Sequence, residues 1–109
     1  QQMVFNHEPV ADEDGFVTLV VANRHFHGER GLGVEMRYRR AELPFLTHWK
    51  QMGAGDYLIG LEPANCHVEG RAWERENGTL QTLAPGEKVE FALDFRVLPD
   101  NDAIDAVGL

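Results

Sequence analysis

The chain of 109 residues is 43% hydrophobic and 26% charged, which supplies apolar material for one globular core and too little for two. With 10 Lys+Arg against 18 Asp+Glu the formal charge is −8, so the basic face that would neutralise a phosphate backbone is missing and nucleic acid is excluded as a partner. No uninterrupted apolar stretch reaches the roughly 18 residues that cross a bilayer, and no membrane partner is expected.

A single cysteine, Cys66, cannot form an internal disulfide, which fits a reducing compartment and predicts a cytoplasmic protein. The sequence starts at Gln1 and runs almost at once into apolar residues, so residues 1–109 are expected to be one β-sandwich segment of a longer chain.

Periodicity predicts strands along most of the length. Phe16 to Val21 is rich in β-branched residues and follows the turn signal Asp14-Gly15. His25 to Gly33, with its glycines among charged residues, reads as a flexible connection. Val34, Met36 and Tyr38 alternate with Glu35, Arg37 and Arg39, the pattern of a half-buried antiparallel strand with its arginines on the wet side. Phe45 to Trp49 is extended, because Pro44 disfavours helix before it. Tyr57 to Leu61 is a nearly continuous apolar run that reads as the most buried strand, closed by Glu62-Pro63.

Helix competes only over Glu69 to Glu76, between Gly70 and Gly78. Leu83-Ala84-Pro85-Gly86-Glu87 is a turn, with Pro presetting φ and Gly free to take positive φ. The turn launches a long strand with Val89, Phe91, Leu93, Phe95 and Val97 on one face. Asp100 to Leu109 reads as a loosely held tail. Strands separated by turn residues, with little helix, describe an all-β, antiparallel β-sandwich or part of one.

The sharpest local feature is Leu61-Glu62-Pro63-Ala64-Asn65-Cys66-His67. A carboxylate at the end of an apolar strand loses solvation, which raises its pKa toward the range a general base needs; the same pattern also suits a surface carboxylate. Pro63 is expected to end regular pairing and leave Asn65 and His67 in a loop, where they can hydrogen-bond a polar ligand. Arg71 can hold a sugar hydroxyl or an anionic group through its planar fork, or pair with Glu69 or Glu74. Trp49 and Trp73 offer flat faces for sugar C–H groups or for the core. His25 and His27, with His67 as a third imidazole, permit a metal without demanding one, and neither a metal nor a cofactor is expected.

The ordered combination of Tyr57-Leu58-Ile59-Gly60-Leu61-Glu62-Pro63-Ala64-Asn65, Gly70-Arg71, Gly78-Thr79-Leu80 and Leu83-Ala84-Pro85-Gly86-Glu87 resembles the C-terminal part of aldose 1-epimerase-like proteins of the galactose mutarotase superfamily. Leu43-Pro44-Phe45 and Trp49-Lys50 fit the same pattern, so the resemblance covers Leu43 to Val97. It implies the C-terminal portion of a large antiparallel supersandwich that binds a sugar across a concave sheet. In that family a glutamate in the Leu-Glu-Pro position takes the proton of the anomeric hydroxyl while a histidine protonates the ring oxygen. Glu62 matches the base. The acid histidine lies upstream of the base in the family, and none of His7, His25, His27 or His48 stands in its motif.

The resulting expectation is a mutarotase-like segment with Glu62 as general base and Trp49, Asn65, His67 and Arg71 as ligand contacts for an aldose. The alternative is a carbohydrate-binding sandwich without catalysis. Half a sandwich leaves apolar faces and strand edges open, so the 109-residue piece is expected to self-associate.

Overall fold

The computed structural model describes residues 2–53 and 55–108. It is mostly antiparallel β, with two three-stranded sheets, β1-β4-β5 and β2-β3-β6, and short helices. The chain divides into two compact units. The first is Gln1–Val10 with Arg40–Phe91; the second is Ala11–Arg39 with Ala92–Leu109.

In the first unit β4 (Phe45–Gly53) lies between β1 (Gln2–His7) and β5 (Asp56–Ala64), with Val4 opposite Trp49, Trp49 opposite Gly60 and Thr47 opposite Glu62. Leu43, Leu46, Thr47 and Glu74 are buried. The apolar run in β5 is not the best-covered strand, as its composition suggests. Leu58 and Ile59 are 56% and 52% exposed, because β5 is an edge strand.

Pro63 does not end pairing either, and the ladder continues through Pro63 opposite Leu46 to Ala64 opposite Phe45. An edge strand accepts proline because a missing N–H on its open side removes no ladder bond. Beyond β5 the chain turns through Asn65, Cys66 and His67 into α2 (Arg71–Glu76), at the place where the sequence admits a helix. The Ala84–Glu87 turn forms as expected, with the Glu87 amide donating to the Ala84 carbonyl at 2.9 Å and Gly86 at φ 80°.

In the second unit β3 (Leu32–Arg39) lies between β2 (Phe16–Asn23) and β6 (Leu93–Leu98). The Asp12 carboxylate organises the approach to β2, accepting from the amides of Asp14 and Phe16, both at 2.9 Å. The bond from the Phe16 amide does most to hold the Asp12 carboxyl below its usual pKa. Arg37 and Arg39 lie over the Phe16 ring, 3.7 and 4.4 Å from its centroid, on the wet side of β3. On the other face Val17, Tyr38 and Leu93 form one row and Val21, Val34 and Val97 another. Burial falls along that face, from Val17 and Tyr38, both enclosed, to Val21, Val34 and Val97, all exposed.

The long strand expected from Val89 begins only at Leu93; Lys88 to Ala92 is irregular. The tail is also different from its reading, because Asn101–Ala106 forms α3, packed on β3 and β6 with Ile104 fully buried. Asp100 caps that helix, its Oδ1 accepting from the Ala103 amide at 2.8 Å. Among the described residues no helix is long and apolar enough to cross a membrane.

A short helical turn, α1 (Phe26–Glu29), carries the backbone from β2 into β3, with His27 at φ 52° and Glu29 at φ 69°. The turn is tied to the start of α3 by Asn101. Its Nδ2 donates to the carbonyls of Arg24 and Glu29 at 3.0 and 2.9 Å, and its amide donates to the Arg30 carbonyl at 2.8 Å. Gly31, at φ +87°, is required there: a Cβ would fall 2.3 Å from Asn101 Oδ1.

Candidate functional site

Register in the first unit decides which side chains share a face. Phe45, Thr47 and Trp49 point the same way from β4, and opposite them Ala64, Glu62 and Gly60 point that way from β5. Asn6 joins the Thr47–Glu62 row from β1, with its Oδ1 3.4 Å from the Thr47 hydroxyl. Glu62 is exposed on this face rather than sealed in an apolar pocket. Its carboxylate leans over Gly60, and the Trp49 Cβ flanks the same glycine. Trp49 itself is half-buried.

His67 is drawn to that face by its neighbours. Its ring lies 4.1 Å, centroid to centroid, from Phe45 and meets Trp73 of α2 edge-on at 4.9 Å. The imidazole is therefore held against β4 one register step from the Thr47–Glu62 pair. Trp73 is half-buried and takes part in this packing.

Glu74 fixes the arrangement. It is buried, and its carboxylate accepts from the His67 backbone amide and from the Thr79 hydroxyl. His67 Nδ1 lies 3.1 and 3.3 Å from its two oxygens. Burial by itself raises the pKa of such a carboxyl. The bonds from Thr79 and from the amide and ring of His67 outweigh it, and the group is held below its ordinary value. The backbone adds to the clamp, with the amides of Thr79 and Leu80 donating to the Glu74 carbonyl at 2.9 and 3.2 Å.

Neither Glu74 nor Thr79 stands out in the sequence as a site residue. Glu74 there is one of two partners offered to Arg71, but in the structure it turns to His67, and Arg71 is exposed at the first position of α2. The only signal was spacing: Glu74 follows His67 by seven residues across a Gly-containing turn, which lets a short helix fold back on the loop.

Asn65 lines a hollow of about 250 Å³ with Gln81, Thr82, Leu83, Val89 and Phe91, a mixture of amides, a hydroxyl and apolar surface. Cys66 beside it is a free, exposed thiol. His7 and His48 lie on the opposite face of the β1–β4 pair with Phe5, their rings 5.9 Å apart. Desolvation lowers the His48 pKa, with Lys50 and His7 adding to the effect. His25, in the second unit, is bonded to Glu29 at 2.6 Å, and His67 belongs to the first unit. Among the described residues no group of three His, Cys, Asp or Glu side chains is placed to hold a metal ion.

No curated protein and no solved structure matches the chain. A family model described as Domain of unknown function (DUF4432) matches residues 1–97, which include both strands of the Glu62 face, the His67 loop and α2. The chain therefore belongs to the DUF4432 family.

Proposed function

We propose that the chain is the carbohydrate-binding and catalytic segment of an aldose 1-epimerase-like protein, interconverting sugar anomers with Glu62 as general base. The observation that carries this reading is the shared face of β4 and β5. It brings an exposed carboxylate, an aromatic side chain at Trp49 and an oriented imidazole to one surface, beside the sequence pattern that resembles the mutarotases. On this reading the two antiparallel sheets belong to a larger β-sandwich, and the single free thiol fits a cytoplasmic setting.

An exposed glutamate can reach a sugar directly. In a closed pyranose the anomeric O–H lies against the carboxylate, Glu62 takes its proton, the C1–O1 bond gains double-bond character, and the bond from C1 to the ring oxygen breaks as water gives that oxygen a proton. Rotation about the freed carbon and reclosure from the other side give the second anomer. Trp49 supplies an apolar face for the sugar C–H groups, and Asn65, His67 and Arg71 supply hydrogen bonds. The reaction needs no cofactor.

The second reading is a carbohydrate-binding surface without catalysis. The hollow beside Asn65 favours it, since amides, a hydroxyl and an aromatic ring suffice to hold a sugar. One experiment separates the two. With the full-length protein, freshly dissolved α-D-glucose and α-D-galactose are followed by polarimetry, and Glu62→Gln is expected to slow the catalysed equilibration about 100- to 10,000-fold while sugar binding is retained. Binding by the wild type with no acceleration of equilibration leaves only the second reading.

A further inference from the structure

We propose that the hollow beside α1 is a binding site for a small aromatic carboxylate, whose ring lies against Phe26 and Leu32 and whose charge is held by Arg30 and His27. The site stands apart from the epimerase reading, since the hollow belongs to the second unit and Glu62 to the first.

The hollow has a volume of about 220 Å³ and is lined by Phe26, His27, Arg30, Gly31, Leu32 and Pro99. An apolar cavity of about 150 Å³ already holds a benzene ring, so this one has room for a single ring with a polar substituent. Phe26, Leu32 and Pro99 give it apolar walls, and the Phe26 and His27 rings lie 6.1 Å apart, inclined by 34°. Phe26 and Leu32 are 48% and 37% exposed, which leaves apolar surface for a ligand to cover.

The polar part of the lining has one character. Arg30 and His27 donate hydrogen bonds, and no carboxylate lines the hollow. The acids nearby in the chain are engaged elsewhere. Glu29 Oε2 is bonded to His25 Nδ1 at 2.6 Å, Asp100 Oδ1 accepts from the Ala103 amide at 2.8 Å, and Asp105 pairs with Arg24 at 2.8 Å. Among the described residues the Arg30 guanidinium has no carboxylate partner. A pair of donors with no acid in the same lining selects an anion, and the planar fork of arginine suits a carboxylate.

The walls are set before any ligand arrives. α1 turns through two non-glycine residues in the left-handed region, His27 at φ 52° and Glu29 at φ 69°, with Gly28 at φ 65° between them. Residues with side chains rarely adopt that conformation, and it persists where surrounding bonds enforce it. Asn101 supplies such bonds, through its side chain to the carbonyls of Arg24 and Glu29 and through its amide to the carbonyl of Arg30. Leu32 and Pro99 flank the Gly33–Leu98 pair at the end of the β3–β6 ladder. A braced turn and a sheet end thus carry the lining, and a ligand has little to order on binding.

Titration of benzoate into the full-length protein, followed by ¹H–¹⁵N NMR, tests this, with benzamide and acetate as the other probes. Benzoate is expected to shift the amide signals of Phe26, His27, Gly31 and Leu32 with about millimolar affinity. Benzamide keeps the ring and loses the charge; acetate keeps the charge and loses the ring. Each is expected to bind at least about tenfold more weakly than benzoate. Equal binding of either one overturns the proposal.

Arg30→Gln is expected to weaken benzoate binding about tenfold or more, and Phe26→Ala severalfold. Arg40→Gln, at an exposed arginine of the first unit, is expected to leave the affinity unchanged. Arg30 and Phe26 are both exposed, so neither variant opens the core, and unchanged signals away from the hollow check that the fold is kept. Benzoate that shifts no signal at the hollow, or that binds Arg30→Gln as well as wild type, overturns the proposal.

Discussion

The carboxylate of Glu62 occupies the space above Gly60: a Cβ at residue 60 would come within 2.9 Å of Glu62 Oε1, while the Trp49 Cβ would remain at an ordinary 3.6 Å. The absence of a side chain at 60 is thus what lets the carboxylate lean along the strand. Gly60→Ala displaces the end of a flexible side chain and leaves the backbone where it is. We expect the unfolding free energy to stay within about 1 kcal/mol of wild type while catalysed sugar equilibration by the full-length protein falls. Equilibration at the wild-type rate would show that the leaning conformation is irrelevant to the reaction.

Glu74 predicts an acid sensitivity. Its folded pKa lies below the ordinary carboxyl value, so the stability it contributes is present above that value and is lost as pH falls through the folded pKa. The melting temperature of the wild type should drop more steeply than that of Glu74→Gln between about pH 5 and pH 3. His48, also depressed, pulls in the same direction at higher pH, and comparing the two proteins cancels it. Parallel melting curves across the acid range would refute the assignment.

Gly31 and Asn101 form a second matched pair. Gly31→Ala meets both a positive φ of +87° and the Asn101 amide, and should cost about 2 kcal/mol or more in chemical denaturation. Asn101→Ala should relieve the steric part yet leave the carbonyls of Arg24 and Glu29 without this donor. The double variant is therefore expected to be less destabilised than the sum of the two singles.

Tyr38 tests a buried hydroxyl. The side chain is 1% exposed, its hydroxyl has no hydrogen-bond partner among the described residues, and desolvation raises its pKa. Removing the oxygen should therefore cost nothing: Tyr38→Phe is expected to melt at or above the wild-type temperature, by up to about 1 kcal/mol of added stability. A loss of stability would mean that the hydroxyl has a partner in solution.

The exposed end of the β2-β3-β6 face bears on self-association. Val34, Phe95 and Val97 are 43%, 65% and 64% exposed on one surface. Light scattering of the 109-residue chain should show mass rising with concentration, and Phe95→Lys should restore a monomer. A wild-type monomer at high concentration would rule this out.

Much of the β framework could be read from alternation, because period-2 patterns survive wherever one face is covered. Val34, Met36 and Tyr38 in β3 are an example. Continuous apolar runs misled. Tyr57 to Leu61 looked buried because composition reports hydrophobicity and not how many neighbours a strand acquires, and β5 has one. Val89 and Phe91 continued an alternation that the chain abandons where it passes from one unit to the other.

Within the site, Glu62, Asn65 and His67 were visible as polar residues after an apolar strand. Glu74 was not. Its importance lies in a fold-back of the loop onto α2 that no local period encodes.

Each compact unit is stitched from two separate stretches of chain, with β1 waiting for β4 and β3 for β6. A nascent polypeptide emerging from its N-terminus therefore holds β1 without its sheet until β4 has been made. The β2–β3 hairpin closes early, on local contacts. The slow step in acquiring structure is then the late arrival of distant segments, and no single cut in the sequence isolates either unit free of residues of the other.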